Sequence, residues 1–244
     1  MTNLNQNGRS MIEMLGVLAI IGVLSVGGIA GYSKAMMKFK TNKTIDQIAM
    51  TVTNIRTLYA QQTTYKGLVT SNAYAMGVAD DAMGTTGTLE NPFGGSYYIS
   101  SAKSGAAGET EGGWNGAFLI TATGLPREAC VAIATNDWGS GYSSGLLGIG
   151  TGYVPASTTW NLLDYVISDA YAADPAPADT SVDANALDIK CDVNGATTSG
   201  SNGTNIQKVA CARGVTSAAM TVATAAEGCN CGTKNTCIVT FKYY

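Results

Sequence analysis

The chain has 244 residues, a net charge of -3 and 13% charged residues, about half of the usual share. This low and slightly acidic charge argues against a dedicated nucleic-acid-binding protein, which would carry a basic face, so we predict no nucleic-acid partner. The absence of histidine removes Ser-His-Asp and Cys-His catalysis and His-ligated metal sites. We therefore expect neither an enzyme nor a cofactor.

The first long feature is an apolar run over residues 14–33, which contains no charged side chain. Its twenty residues, at about 1.5 Å each, match a hydrocarbon core of roughly 30 Å. An ordinary signal peptide would carry positive charge before this run and a small-residue cleavage site after it. Here the leader of residues 1–8 is uncharged and no loop-like break follows, so the run is not an ordinary signal peptide.

Glu13 lies at the edge of the apolar run, four residues after Arg9 and thus on the same face of a helix. A carboxylate beside so many apolar residues is costly in lipid and usually has a partner. Gly8, the segment 9–13 and the apolar run together resemble the processing signal of type IV prepilins. That family's leader usually carries Lys or Arg and its mature chain usually begins with an apolar residue, and this chain differs at both points.

The resemblance implies three events at the amino terminus. A membrane-embedded prepilin peptidase would cut between Gly8 and Arg9, and methylation, as is usual in the family, would fall on Arg9. Glu13 would neutralise the new amino terminus of a neighbouring subunit during assembly. Two opposite charges that meet in a low-dielectric helix bundle interact strongly and specify register.

Four lysines, Lys34, Lys38, Lys40 and Lys43, follow the apolar run. The positive-inside rule would place the C-terminal part in the cytoplasm. The cysteines and the resemblance indicate export instead, and long domains translocate largely regardless of flanking charge. We predict a protein of the inner membrane before assembly and of an extracellular filament afterwards.

An amphipathic pattern continues beyond the lysines, at Ile45, Ile48, Val52, Ile55 and Tyr59. Because no Pro or Gly interrupts residues 32–66, we expect one helix from Arg9 to about Gln62. The predicted organisation is a leader (1–8), a transmembrane or filament-core half of the helix (9–33), an amphipathic half (34–65) and an extracellular head domain (66–244).

Turn and strand signals in the remainder predict an α+β fold, with the long helix packed on an antiparallel sheet. Glycines 145, 148 and 150 suggest a flexible connection, and residues 172–205 suggest an exposed segment. The predicted elements are strands at 96–100, 116–122 and 236–244, a short helix at 125–134, and a helix at 160–167 capped by Thr158 or Thr159.

The six cysteines all lie in the C-terminal half: Cys130, Cys191, Cys211, Cys229, Cys231 and Cys237. An even number confined to one region is typical of disulfides formed outside the cytoplasm. The alternative is a zinc site built from the last four, which lacks the usual paired C-x2-C spacing. We favour disulfides, and the sequence does not choose among their possible pairings.

Several segments of the head are similar to type IVb pilins of conjugative plasmids and enteric bacteria: the Asn-Pro-Phe-Gly-Gly turn at 91–95, residues 124–130 followed by Asp137-Trp138-Gly139, and a late cysteine before the final strand. The resemblance implies a disulfide from Cys130 to Cys229 or Cys231. It also implies three partners: copies of the chain itself, the prepilin peptidase and a pilus assembly platform in the inner membrane.

Two functions stay open at this point. The chain is either the structural subunit of a type IVb-like pilus, or a minor pilin or pseudopilin with an adhesive or secretion-system role. A third interpretation, a plain membrane-anchored domain, predicts no cleavage after Gly8.

Overall fold

The computed structural model describes residues 11–84, 88–102, 116–139, 144–154, 190–191, 197–198, 206–211, 220–232 and 236–244. The chain divides into two compact units, of which the first ends at Lys40 and the second is Thr41–Tyr244. The predicted helix at 160–167 and most of the segment 172–205 lie outside the described residues.

The longest element is helix α1, Met11–Leu58, with 48 residues. It ends four residues before the predicted position, because Tyr59–Gln61 form a turn in which the Gln62 amide donates to the Tyr59 carbonyl at 2.8 Å. Among the described residues, α1 is the one helix that is long and apolar enough to cross a membrane. Its large apolar side chains from Met11 to Tyr32 are exposed, by 49% to 87%.

In the second unit, α1 buries a face that is more polar than the sequence pattern suggested. Ile48, Val52 and Ile55 are buried as expected, while Ile45 and Tyr59 are only half-buried. The same face also buries four polar side chains that the apolar pattern did not reveal: Thr41, Thr44, Gln47 and Thr51. Threonine is tolerated at buried positions of the helix because its hydroxyl can donate a hydrogen bond to the backbone of the preceding turn. Thr51 Oγ1 donates in this way to the Gln47 carbonyl at 2.8 Å.

The head contains a six-stranded sheet of order β1-β2-β3-β8-β4-β7 and a separate β5-β6 pair, and neighbouring strands are antiparallel throughout these described strands. The predicted α+β class is therefore correct. The strands are β1 Leu89–Glu90, β2 Ser96–Ala102, β3 Ala117–Leu125, β4 Leu146–Val154, β5 Lys190–Cys191, β6 Thr197–Thr198, β7 Ile206–Cys211 and β8 Thr236–Tyr243.

Strand β8 lies between β3 and β4 and is buried on both faces beyond Thr236. The alternation of apolar and polar residues in its sequence therefore does not correspond to one buried and one solvent-exposed face. The polar side chains on one face are paired instead, since Thr240 Oγ1 and Thr121 Oγ1 lie 2.9 Å apart in the core. A strand at this position carries ladder hydrogen bonds on both edges, which is why it anchors the sheet.

The prediction of a flexible connection at residues 145–150 is wrong, because most of that segment belongs to β4. Gly148, Gly150 and Gly152 pair with Lys242, Thr240 and Ile238 of β8. Glycine is rare in strands because it packs no side chain and loses more backbone entropy. Here β4 is paired with β8 on one side and β7 on the other, so hydrogen bonding outweighs that preference.

Three short helices complete the described part of the head: α2 Thr70–Ala73, α3 Arg127–Ala134 and α4 Val222–Gly228. Pro126 precedes the first turn of α3, where its missing amide proton costs nothing. Thr221 caps α4, since its hydroxyl accepts from the Thr224 amide at 3.2 Å. A 3-10 turn at Asp81–Met83 precedes β1.

Candidate assembly segment and disulfide framework

Glu13 lies in the first turn of α1, in its exposed apolar part. A carboxylate there is favourably placed with respect to the helix dipole. No charged residue follows it until Lys34, so Glu13 is an isolated negative charge at one end of an uncharged segment. Gly8 and Arg9, the two predicted processing residues, lie outside the described residues.

The segment after Glu13 is apolar on all sides of the helix. Large side chains on different sides of the helix are exposed, among them Leu15 at 65%, Ile20 at 63% and Ile21 at 52%. A helix that is apolar all round is stable in water only when something covers it, such as lipid or other helices. This segment is therefore an interaction surface by its chemistry.

Among the described residues, one disulfide joins α3 to the end of α4 and another joins the segment after α4 to β8. Cys130 of α3 is bonded to Cys229 at the end of α4, with Cα atoms 5.9 Å apart. Cys231 is bonded to Cys237 of β8, with Cα atoms 5.3 Å apart. The structure thus selects Cys229 over Cys231 as the partner of Cys130, one of the two alternatives that the resemblance implied.

The zinc alternative is wrong, because Cys229, Cys231 and Cys237 are all engaged in disulfides. Among the described residues, no group of three potential metal-ligating side chains comes together. Cys191 lies in β5 and Cys211 at the end of β7.

The Asp-Trp-Gly motif after α3 supports this disulfide framework. The Trp138 ring packs on Phe241 of β8 at 4.5 Å between centroids, and its Nε1 donates to the Ile133 carbonyl at 2.7 Å. The Gly139 amide donates to Asp137 Oδ1 at 3.0 Å, which fixes the turn. The motif therefore ties the end of α3 to the central strand.

A buried hydrogen bond that the sequence did not reveal joins α1 to the sheet within the second unit. The Tyr97 hydroxyl of β2 donates to Gln47 Oε1 at 2.9 Å, and both residues are buried. Burial raises the pKa of Tyr97 far above its ordinary value, and a hydrogen bond with Thr44 opposes this in part. A tyrosine in an apolar strand pattern is the only signal that could have pointed to this contact.

The end of β8 contacts the end of α1. Arg56 Nη2 donates to the Tyr244 carbonyl at 3.5 Å, and the guanidinium carbon lies 6.0 Å from the centre of the Tyr243 ring. Burial raises the pKa of Tyr243 to about 12, against the opposing effect of Arg56. Gly145 has a φ of +68°, and a Cβ there would collide with the Arg56 guanidinium.

The sequence is similar to proteins of known role. Two curated relatives, from Escherichia coli O127:H6 (strain E2348/69 / EPEC) and Escherichia coli O111:H-, are each described as the major structural subunit of bundle-forming pilus. Each is 30% identical over 139 residues, which cover 55% of this chain and 67% of the relative. The family described as PilS N terminal matches residues 38–199, more than half of the chain.

The chain belongs to the type IV pilin family. As a pilin it is a structural subunit of an extracellular filament, and it associates with copies of itself rather than performing catalysis. A solved structure titled as type IV b pilin from Salmonella typhi is 18% identical, with a TM-score of 0.43, and the match covers 83% of this pilin and 98% of that chain.

Proposed function

We propose that this pilin is made as a precursor from which a prepilin peptidase removes residues 1–8, and that residues 9–33 then hold it in the inner membrane. An assembly platform in that membrane would add the mature subunit to a type IVb-like pilus. Residues 34–65 would form the amphipathic half of the helix and residues 66–244 the extracellular head. The observation that carries this proposal is the exposed apolar segment of α1.

The exposed segment has two successive environments in this scheme. In the membrane its side chains meet lipid, and a span of about 18–20 residues fits the hydrocarbon core. In the filament the same side chains meet the helices of neighbouring subunits, so apolar surface stays covered throughout. A plain membrane anchor would explain only the first environment.

Glu13 supports the filament over a plain anchor. A single carboxylate at the edge of an apolar segment is costly in lipid, so its presence favours a positive partner. Cleavage after Gly8 creates such a partner, because the new amino terminus of Arg9 is a charge that a neighbouring subunit can present. In a low-dielectric bundle this pair would select one axial register between subunits.

The relatives favour the structural-subunit interpretation over the minor-pilin alternative, since both are described as major structural subunits. The disulfides Cys130–Cys229 and Cys231–Cys237 suit a protein that is exposed outside the cell, where reduction is not expected. The copy number of the chain in purified filaments separates the two interpretations, because a minor pilin would be present at a small fraction of the main subunit.

The test is the intact mass of the protein isolated from membranes of a host that supplies a prepilin peptidase. We expect loss of residues 1–8 from the native chain and from a control variant Asn5→Val, and no loss from Gly8→Val. An uncut native chain in the presence of active peptidase would leave only a plain membrane-anchored domain.

Assembly is tested separately with Glu13→Gln, which keeps the size of the side chain and removes its charge. We expect normal cleavage and a strong loss of filaments that can be sheared from the cells. Glu90→Gln, at an exposed position of β1 in the head, is the matched control and should assemble normally. Normal filament yield from Glu13→Gln would show that this carboxylate has no part in subunit docking.

A further inference from the structure

Lys34 and Lys38, which follow the apolar segment, have no acidic residue near them in the sequence. No Asp or Glu occurs between Glu13 and Asp46, so no acidic residue stands three or four positions from Lys34 or Lys38 on the helix. Both lysines are exposed. Lys34 and Lys38 are therefore two neighbouring positive charges on one helix face, with no negative side chain beside them on the helix.

Their distance from the apolar segment places these two lysines at the depth of lipid headgroups. At about 1.5 Å per residue, Lys34 lies roughly 1.5 Å and Lys38 roughly 7.5 Å beyond Ser33 along the axis. The headgroup layer on one side of a bilayer is about 5–8 Å thick. The flexible side chain of lysine can also reach along the helix toward that layer.

Two exposed aromatic residues frame the lysines. Tyr32 is 67% exposed and Phe39 is 60% exposed, and their spacing of seven residues places both on one side of the helix. Lys34 and Lys38 lie on another side. Aromatic side chains, tyrosine above all, are enriched at the boundary between hydrocarbon and water. The headgroup region of a membrane stabilises both aromatic and basic side chains, and here the two kinds lie at the same depth along the helix.

We propose that Lys34 and Lys38, with Tyr32 and Phe39, form a docking surface for the headgroups of anionic phospholipids in the leaflet on the side of the head domain. The proposal rests on the insertion of residues 9–33 in the membrane and adds a lipid class to it. Anionic headgroups neutralise the lysines that the positive-inside rule disfavours on that side. The surface holds the subunit at one depth before assembly and is given up when the subunit leaves the membrane.

The test measures lipid selectivity of the full-length protein in vesicles by electron spin resonance. The purified chain is reconstituted in phosphatidylcholine, and spin-labelled phosphatidylglycerol or phosphatidylcholine is added at trace level. Lipid in contact with the protein gives a motionally restricted component, and the ratio of the two relative association constants is the selectivity. We expect the native chain to prefer phosphatidylglycerol roughly two- to fivefold at low salt, and less at high salt.

The variants separate a defined surface from diffuse charge. We expect Lys34→Gln with Lys38→Gln to bring the selectivity close to one, and Lys34→Arg with Lys38→Arg to keep it. Lys43→Gln removes an exposed charge from the same helix five residues after Lys38 and should change selectivity little. Near-ultraviolet circular dichroism checks that the head stays folded in each variant.

Two results would overturn the proposal while leaving membrane insertion intact: unchanged selectivity in the double glutamine variant, or an equal loss in Lys43→Gln. In the first case the lysines would serve contacts between subunits instead, and filament yield would fall without any change in lipid preference. If no motionally restricted component appears, insertion of residues 9–33 fails, and this proposal fails with it.

Discussion

The two disulfides among the described residues of the head close chain loops of very different length, so their removal should cost very different amounts of stability. The Cys130–Cys229 pair spans 99 residues and the Cys231–Cys237 pair spans 6. All four cysteines are buried, with exposures of 0–3%. Replacing either pair by alanine therefore removes similar buried atoms, and the difference between the two variants isolates loop closure.

The chain-entropy relation gives the expected magnitude. A loop of 99 residues corresponds to roughly 4.7 kcal/mol at room temperature, and one of 6 residues to roughly 2.2 kcal/mol. Removal of Cys130–Cys229 should thus cost about 2.5 kcal/mol more than removal of Cys231–Cys237. For a chain of this size, about 2–4 °C per kcal/mol predicts a thermal midpoint roughly 5–10 °C lower for the first variant than for the second.

The assay compares C130A/C229A with C231A/C237A and the native chain, each at full length in mild detergent. Thermal unfolding is followed by near-ultraviolet circular dichroism, which reports the packing of aromatic side chains. A thiol count confirms that the remaining disulfides have formed. Equal losses, or a larger loss for the short loop, would refute the argument that constraint of the unfolded chain is what these bridges contribute.

Three further predictions concern single contacts in the head. Tyr97→Phe should lower the free energy of unfolding by about 1–3 kcal/mol, because it leaves Gln47 Oε1 buried without its donor. A double-mutant cycle with Gln47→Leu, measured by urea unfolding, should show that the effects of the two substitutions are not additive. Strict additivity would contradict a direct hydrogen bond. Because the pKa of Tyr243 is about 12 in the folded chain and about 10 when unfolded, the folded state holds more protons between these values. Between these pH values the free energy of unfolding should fall by about 1.4 kcal/mol per pH unit. In Tyr243→Phe, urea midpoints measured between pH 9 and about 12 should decline less steeply with pH than in the native chain. An unchanged slope would count against burial of the phenol. Gly95→Ala should lower the thermal midpoint more than Gly94→Ala. A Cβ at Gly95 would collide with a backbone carbonyl of the neighbouring strand, whereas the space at Gly94 is open and only its φ of +84° opposes a side chain. The reverse order would show that the turn can shift.

The features that could be predicted from sequence are those written in local patterns. The apolar run and the spacing of Ile48, Val52 and Ile55 predicted α1, because one helix face repeats every three to four residues. The turn at 91–95 was predictable because Asn91 accepts backbone amide hydrogen bonds through its own side chain, at 2.9 Å from the Phe93 amide. The family resemblance at residues 8–13 is likewise a short linear signal.

The features that only the tertiary structure decided depend on residues far apart in the chain. The partner of Cys130 lies 99 residues away, and no local pattern favours it over the other four cysteines. The glycines of β4 form a strand because β8 and β7 supply hydrogen bonds on both edges, which outweighs a local preference for loops. Gln47 is buried because Tyr97, fifty residues later, satisfies its oxygen. The local sequence determines which backbone conformations have low free energy. Contacts between distant residues then determine which of these conformations the folded chain adopts, because a buried polar group or strand edge is stable only when its distant partner is in place.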